Sequence, residues 1–267
     1  MTENGRPTAR LALDGTPHHR RLLDGTDWAS LTTGRGTGEF LPEALARLLD
    51  PDPAVRADAA TDALGEVTHQ NTIYEATVPV ARYVAAILDQ PHLTAGDFDP
   101  DAAGPSRRPT LVRLLEWLGD TACDADDECV AIGERRHGER FLHEYEEMRA
   151  FRDLRPVILG AVRPFLGHER ADVRDAALVA AVPLAEHPLL GGHRSELADH
   201  ARRLLATSTD RHNRDRALDA LRAWGHDPGD LETAADVAAR ERYAHSEAER
   251  DLRAADPTGG YDDDPPF

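Results

Sequence analysis

The amino-acid sequence predicts an all-α protein, and three observations indicate this class. Hydrophobic residues make up 40% of the 267 residues, but aromatic residues make up only 5%. A core built mainly from Ala, Leu and Val suits closely packed helices better than a sandwich of aromatic-rich strands. Apolar residues recur at helical spacing through most of the chain, and a helix–turn–helix pattern repeats along it.

The first 36 residues are polar and contain the turn-forming segments "DGTPHH", "DGTD" and "TGRGTG". We expect residues 1–36 to form an irregular N-terminal arm, which is flexible or packs over the first helix. The start of the chain has no apolar signal core, and no run approaches the ~18 apolar residues of a membrane span. A cytoplasmic location without membrane contact is therefore expected.

A helical domain is predicted over residues 37–230, and its first helix pair has a clear signature. Apolar residues recur at helical spacing before and after the segment "DPDP": Phe40, Leu41, Leu45, Leu48 and Leu49 on one side, and Val55, Ala59, Ala60 and Leu64 on the other. Asp50 or Asp52 can cap the second helix, and Pro53 suits its first turn.

The same turn recurs later in the chain. Val55-Arg56 aligns with Val173-Arg174, 118 residues further on, and a weaker copy has Asn213-Arg214 after another 40 residues. A repeat of about 40 residues leaves room for two degenerate copies between the first two, which gives about five helix pairs. The Arg in each copy is expected to pair with an Asp of the preceding turn and so to lock it.

The pattern "D-x-D/E-x-x-VR-x-x-A" between two helices resembles the elbow of a HEAT repeat. The first copy supplies Asp50, Asp52, Val55, Arg56 and Ala59; the second supplies His168, Arg170, Asp172, Val173, Arg174 and Ala177. The segment "HQNTIYEATVPV" also resembles HEAT-like, armadillo-type proteins of bacteria that are uncharacterised. The resemblance implies a right-handed α-α superhelix, a HEAT-like solenoid of stacked helix pairs. It implies no reaction.

Four segments interrupt or end this pattern. Residues 89–110 are rich in Pro, Gly and Asp and predict a long loop, and residues 120–131 predict an acidic turn or short helix. Residues 231–255 predict a charged capping helix with a narrow apolar stripe. Residues 256–267, "DPTGGYDDDPPF", predict a disordered tail.

Charge and composition limit the partners and the chemistry. The formal net charge is −18, which opposes binding to nucleic acids and to anionic membranes and favours a basic or neutral protein partner. The chain contains no lysine, so a phosphate-loop lysine and a lysine Schiff base are excluded. Cys123 and Cys129 fit a reducing compartment, and no second cysteine pair accompanies them to bind zinc.

The stretch "GEVTHQNTIYEAT", residues 65–77, has two interpretations. It is an elbow whose polar side chains satisfy the backbone groups of helix ends, or it lines a groove and binds a ligand. On the second interpretation, the expected partner-binding residues of this stretch and of the elbow arginines are Arg56, Glu66, His69, Gln70, Tyr74 and Arg174.

The expected function is a non-catalytic scaffold that binds a partner protein on its concave helical face, without a cofactor. Two enzymatic alternatives stay open, both suggested by HEAT-like enzymes. A metal-dependent hydroxylase would use the His-Glu pairs His143-Glu144 and His168-Glu169. A base-excision enzyme of the alkylpurine glycosylase type would use exposed arginines with Trp28, Trp117 and Trp224 on a concave face.

Overall fold

The computed structural model of the chain describes residues 17–95 and 109–255. Within these ranges the chain is mostly helical, and its only strands are β1 (Thr32–Thr33) and β2 (Gly36–Thr37), which form a small antiparallel hairpin. The predicted all-α class is confirmed.

The helices follow one another with short connections. The first half of the chain contains α1 (His18–Gly25), α2 (Leu41–Arg47), α3 (Pro53–Leu64), α4 (Thr77–Ile87), α5 (Pro91–Ala95) and α6 (Thr110–Asp124). The second half contains α7 (Asp127–His137), α8 (Phe141–Glu144), α9 (Glu146–Val162), α10 (Ala171–Leu184), α11 (Arg194–Thr207), α12 (Arg211–Ala223) and α13 (Ala234–Ala255). Short 3₁₀ turns join several of these helices.

The described part of the N-terminal arm has regular structure where an irregular segment was expected. Residues 17–36 contain α1, which contacts α4, and also β1 and the first residue of β2. Trp28 is buried after α1, and its Nε1 donates to the carbonyl of Leu23 at 2.9 Å. The order arises because this indole buries a large apolar area and also finds an acceptor for its N–H.

The first elbow forms as the sequence predicts. Asp52 caps α3, since its Oδ1 accepts from the backbone N–H of Ala54 at 2.8 Å, and Pro53 occupies the first helical position. Asp210 caps α12 in the same manner, accepting from the N–H of Asn213 at 2.9 Å. These caps satisfy donors that the first turn of a helix leaves free.

The interrupting segments are more helical than predicted. The described part of the 89–110 segment contains α5, and residues 96–108 lie outside the described residues. The acidic segment 120–131 divides between the end of α6 and the start of α7, with a turn at 125–126. The charged C-terminal helix forms as α13, and the 256–267 tail lies outside the described residues.

Contacts between helices follow a regular order. The sequential helices α2 and α3, α9 and α10, and α11 and α12 pack against each other. One further series of contacts joins α3 to α6, α6 to α10, and α10 to α12; another joins α1 to α4 and α4 to α9. The Tyr83 hydroxyl of α4 donates to the carbonyl of Leu45 in α2 at 3.1 Å, so α4 also reaches the first helix pair.

Small residues lie at a close contact between α6 and α10. A Cβ added at Gly119 would lie 2.8 Å from the Cα of Ala180, which is too close for any residue other than glycine. Most of the surrounding core consists of Ala, Leu and Val side chains. Among the helices of the described ranges, none has the length and apolar character that crossing a membrane requires.

Candidate functional site

Buried arginines fasten the elbows. Arg56 lies on α3 with 1% of its surface exposed, and its Nη1 donates to the carbonyls of Asp50 at 2.6 Å and Pro51 at 3.0 Å. On α10, Arg174 Nη1 donates to the carbonyls of His168 and Glu169, both at 2.7 Å. The acceptors are backbone carbonyls, and not the Asp carboxylates expected from the sequence, because helix formation leaves these turn carbonyls without other donors.

Two more arginines occupy the same fourth position of their helices. Arg214 of α12 donates to the carbonyl of Ser208 at 3.1 Å and to the Asp236 carboxylate of α13 at 2.6 Å. Arg113 of α6 donates instead to the Ala57 carbonyl of α3 at 2.8 Å, and so ties two neighbouring helices together. Residues Arg56, Arg113, Arg174 and Arg214 therefore hold the framework of the fold.

The 65–77 stretch is a densely bonded elbow. Gln70 and Asn71 both have left-handed backbone conformations, with φ of 53° and 60°. Asparagine adopts this conformation readily, whereas glutamine does so less often. The Tyr145 hydroxyl accepts from the N–H of Ile73 at 2.9 Å and donates to its carbonyl at 2.8 Å. Asn71 Nδ2 donates to Asp124 Oδ1 at 2.7 Å, which attaches the elbow to the end of α6.

The N-terminal hairpin covers the other side of this elbow. Gly34 donates its N–H to the carbonyl of Glu66 at 2.7 Å, and Arg35 Nε lies 2.8 Å from Glu66 Oε1. Glu75 Oε2 accepts from the N–H of Thr32 at 2.9 Å. The elbow interpretation therefore accounts for most of the polar groups in the stretch, because they satisfy backbone groups of neighbouring segments.

The partner-binding residues expected from the sequence have different environments. Arg56 is buried and leaves no surface for a partner, while Glu66 is largely covered by its ion pair. His69 and Gln70 are exposed, and Tyr74 is half-buried. Arg174 is half-buried and lines a cavity of about 470 Å³ between α10 and α11.

A different set of side chains combines exposure with charge that lacks a bonded counter-ion. We call Asp120 and Asp124 of α6, with His212 and Arg216 of α12, the charged face. In the part of the chain that the structure describes, no hydrogen bond or ion pair joins Asp120, His212 or Arg216 to another side chain. Asp124 accepts only the Asn71 amide. Asp120 and His212 are exposed and Asp124 and Arg216 are half-buried, so these charges are accessible to a ligand.

The electrostatics of the charged face couple α6 with α12, which both pack against α10. Burial raises the pKa of Asp120, while the charges of His212 and Arg216 oppose this rise. Burial raises the pKa of Asp124 to about 6; the Asn71 hydrogen bond and Arg216 lower it, and Asp120 raises it further. The carboxylates of α6 are therefore near enough to α12 to interact with its cations.

A groove between α12 and α13 opens beside the charged face, and its volume is about 590 Å³. We call it the α12–α13 groove; its lining comprises Arg211, His212, Asp215, Arg216, Leu218, Asp219, Arg222, Glu232, Asp236, Ala239, Arg240 and Tyr243. Most of these charges pair within the groove, as in Arg222 with Glu232 at 2.6 Å and Arg211 with Asp215 at 2.6 Å.

The enzymatic alternatives lack a convergent arrangement of side chains. His168 accepts from the N–H of Arg170 at 3.2 Å, as an elbow residue does, and His143-Glu144 lies exposed on α8. No group of three His, Cys, Asp or Glu side chains able to hold a metal ion occurs within residues 17–95 and 109–255. Trp28 and Trp117 are buried in the core and do not line an open face.

Comparisons with known proteins add nothing to these geometric observations. Neither the family models, the curated proteins nor the solved structures that were compared with the chain gave a match. The sequence did not predict a role for Asp120, Asp124, His212 or Arg216. The only signal for them was the i,i+4 spacing of two aspartates on α6 and of a His and an Arg on α12, which is common on solvated helices.

Proposed function

We propose that the chain is a non-catalytic scaffold that binds a basic or neutral protein on the concave face of a HEAT-like, right-handed solenoid. The observation that carries the proposal is the charged face, where Asp120 of α6 and His212 and Arg216 of α12 have no bonded side-chain partner within the described residues and their charges interact. A partner of complementary charge can replace the water around such side chains.

The order of helix contacts supports a stacked arrangement. In a solenoid each helix pair contacts only its neighbours, so contacts between second helices should run along the chain in sequence. The series α3, α6, α10, α12 has this property. The packed sequential helices α2 and α3, α9 and α10, and α11 and α12 fit three units of such a stack, and α13 follows at the C-terminal end.

The electrostatic coupling supports a concave surface on this series. Packed helices lie about 8–10 Å apart, so two helices on either side of a third are separated by roughly 16–20 Å. Asp120 nevertheless interacts with His212 and Arg216 across α10. This interaction is expected where the three helices curve around a common face, and we infer such a face here.

The charge pattern indicates the kind of partner. Asp120 and Asp124 are partly desolvated carboxylates with raised pKa values in a protein whose net charge is −18. A basic side chain placed between them would relieve their repulsion, and Arg216 with His212 would set the orientation of a neighbouring acidic or polar group. Of the residues predicted from the sequence, His69, Gln70 and Tyr74 stay candidates at the elbow beside Asp124.

The test is an affinity capture from lysate with the intact chain, followed by a binding titration with the captured protein. We expect the double variant Asp120→Asn/Asp124→Asn to weaken binding at least tenfold, and we expect binding to weaken as salt is raised. The matched control is Glu146→Gln/Asp153→Asn on α9, which removes the same charge from a different helix series. Equal affinities of the two double variants would reject the proposed face.

A further inference from the structure

The α12–α13 groove lies where α13 leaves α12 after a close contact near the start of α13. Asp236, in the first turn of α13, is 2% exposed and binds Arg214 of α12. Residues 240–246 are all exposed, and the Tyr243 side chain retains 66% of its surface. An amphipathic helix that leaves an aromatic ring and a groove uncovered needs a second element to cover them.

The groove is electrically unlike the rest of the protein. Its lining has four arginines and four acidic residues, so it is close to neutral within a chain of net charge −18. Arg211, Arg222 and Arg240 all contact acids of the groove. Arg216 has no ion pair within the described residues and leaves one cation available at the rim. An acidic segment repelled elsewhere on the surface is attracted to this position.

The chain itself carries such a segment. Residues 256–267, "DPTGGYDDDPPF", follow α13 directly and combine three consecutive aspartates with two aromatic residues. They lie outside the described residues. Asp262 is the seventh residue after Ala255 and so reaches up to about 25 Å in extended form. The return distance from Ala255 to Arg240 is about 22 Å, at a rise of ~1.5 Å for each of fifteen helical residues.

We propose that residues 256–267 bind back into the α12–α13 groove of the same chain. The aspartates 262–264 face Arg216 and Arg240, and an aromatic ring of the segment packs on Tyr243. The proposal does not depend on the partner protein, because every group it uses belongs to this chain.

Photo-crosslinking of the intact chain tests this proposal. We would introduce the benzophenone amino acid p-benzoylphenylalanine at Tyr261, irradiate dilute protein, and map the products by mass spectrometry. The expected products migrate as monomer and join position 261 to residues 211–222 or 236–243. Arg216→Gln should lower their yield several-fold, as should a rise in salt from 50 to about 500 mM. The matched control Arg82→Gln, an exposed cation of α4, should leave the yield unchanged.

Products in the dimer band, products outside the groove, or equal yields for Arg216→Gln and Arg82→Gln would overturn the proposal. Hydrogen exchange provides a second measurement with natural side chains at position 261. In the variant Asp262→Asn/Asp263→Asn/Asp264→Asn, amides of 211–222 and 236–243 should exchange several-fold faster than in Asp24→Asn/Asp58→Asn/Glu139→Gln. Identical exchange in the two triple variants would also refute binding of the segment.

Discussion

Arg56 and Arg174 hold their elbows with the same bonds, although 118 residues separate them. In each, Nη1 donates to the carbonyls of the residues six and five positions earlier in the chain. The two arginines differ in exposure, because Arg56 is buried and Arg174 is half-buried beside a cavity. Because the bonds are alike but the exposure differs, loss of Arg56 and loss of Arg174 should change the free energy of unfolding by different amounts.

Replacement of each arginine by methionine measures this difference. In Arg56→Met two part-buried carbonyls lose a donor that is itself buried, and we expect a loss of about 2–4 kcal/mol in the free energy of unfolding. In Arg174→Met water can replace the lost donor, and we expect about 1 kcal/mol. Urea denaturation of both variants provides the measurement. A larger loss for Arg174→Met would contradict the structural role assigned to Arg56.

The recurrence of this arginine shows which parts of the fold the sequence could predict. Helical periodicity and the Asp-Pro and Val-Arg turns are local signals, so the helix class and the elbows at Asp52 and Asp210 were recognisable. Val112-Arg113 carries the same dipeptide but escaped recognition. The long segment 89–110 precedes this dipeptide in place of a short turn. The Arg113 guanidinium donates to a carbonyl of α3 and not to the turn before its own helix.

The charged face was beyond prediction for a different reason. Asp120 and Arg216 lie almost a hundred residues apart, on helices that each have an ordinary amphipathic pattern. Their proximity depends on how α6 and α12 both pack against α10. A pattern within one helix contains no information about such contacts. The 65–77 elbow also depends on residues distant in sequence, as the bonds from Ile73 to Tyr145 and from Asn71 to Asp124 show.

Glycine substitutions test the close packing of α6 on α10. Gly119→Ala would place a methyl group 2.8 Å from the Cα of Ala180, so we expect a loss of about 1–3 kcal/mol in unfolding free energy. Gly160→Ala on α9 is the matched control, since open space surrounds that position and alanine favours helix by about 0.5–1 kcal/mol. Thermal unfolding should shift in opposite directions for the two variants. A stabilised Gly119→Ala would mean that the two helices lie further apart.

The Arg214–Asp236 pair should make the attachment of α13 sensitive to acid. The guanidinium of Arg214 and the hydrogen bonds from Thr233 hold the pKa of Asp236 below its ordinary value. A lowered pKa contributes stability that is complete above the unfolded value of about 3.9 and is lost as pH falls towards the folded value.

Asp236→Asn leaves Arg214 buried without its counter-ion, and we expect a loss of about 3 kcal/mol at pH 7. The difference in stability between this variant and the wild type should shrink below about pH 4, because the wild-type carboxyl is then protonated in the unfolded state while it stays charged in the folded state. Urea denaturation at pH 7 and pH 3 checks both expectations. A difference that stays constant over this range would show that the carboxylate charge contributes nothing.

Asp124 should have the opposite pH dependence. Burial first, and the negative charges of Asp120 and Asp126 in addition, raise its pKa to about 6, against the lowering effects of Asn71 and Arg216. Because the folded pKa exceeds the unfolded value of about 3.9, the folded state binds more protons, and stability falls as pH rises between about 4 and 6.

Asp124→Asn keeps an acceptor for the Asn71 amide and removes the charge. The variant should match the wild type in stability near pH 4 and exceed it by about 1–2 kcal/mol at pH 7, a value reduced for partial solvent screening. Asp153→Asn, an exposed position on α9, controls for the loss of one negative charge. Urea denaturation from pH 4 to 7.5 provides the comparison, and carbon-detected NMR of the Asp124 carboxyl should show a midpoint near 6. A wild type as stable as Asp124→Asn at pH 7 would mean that burial does not disfavour the Asp124 carboxylate in the folded state.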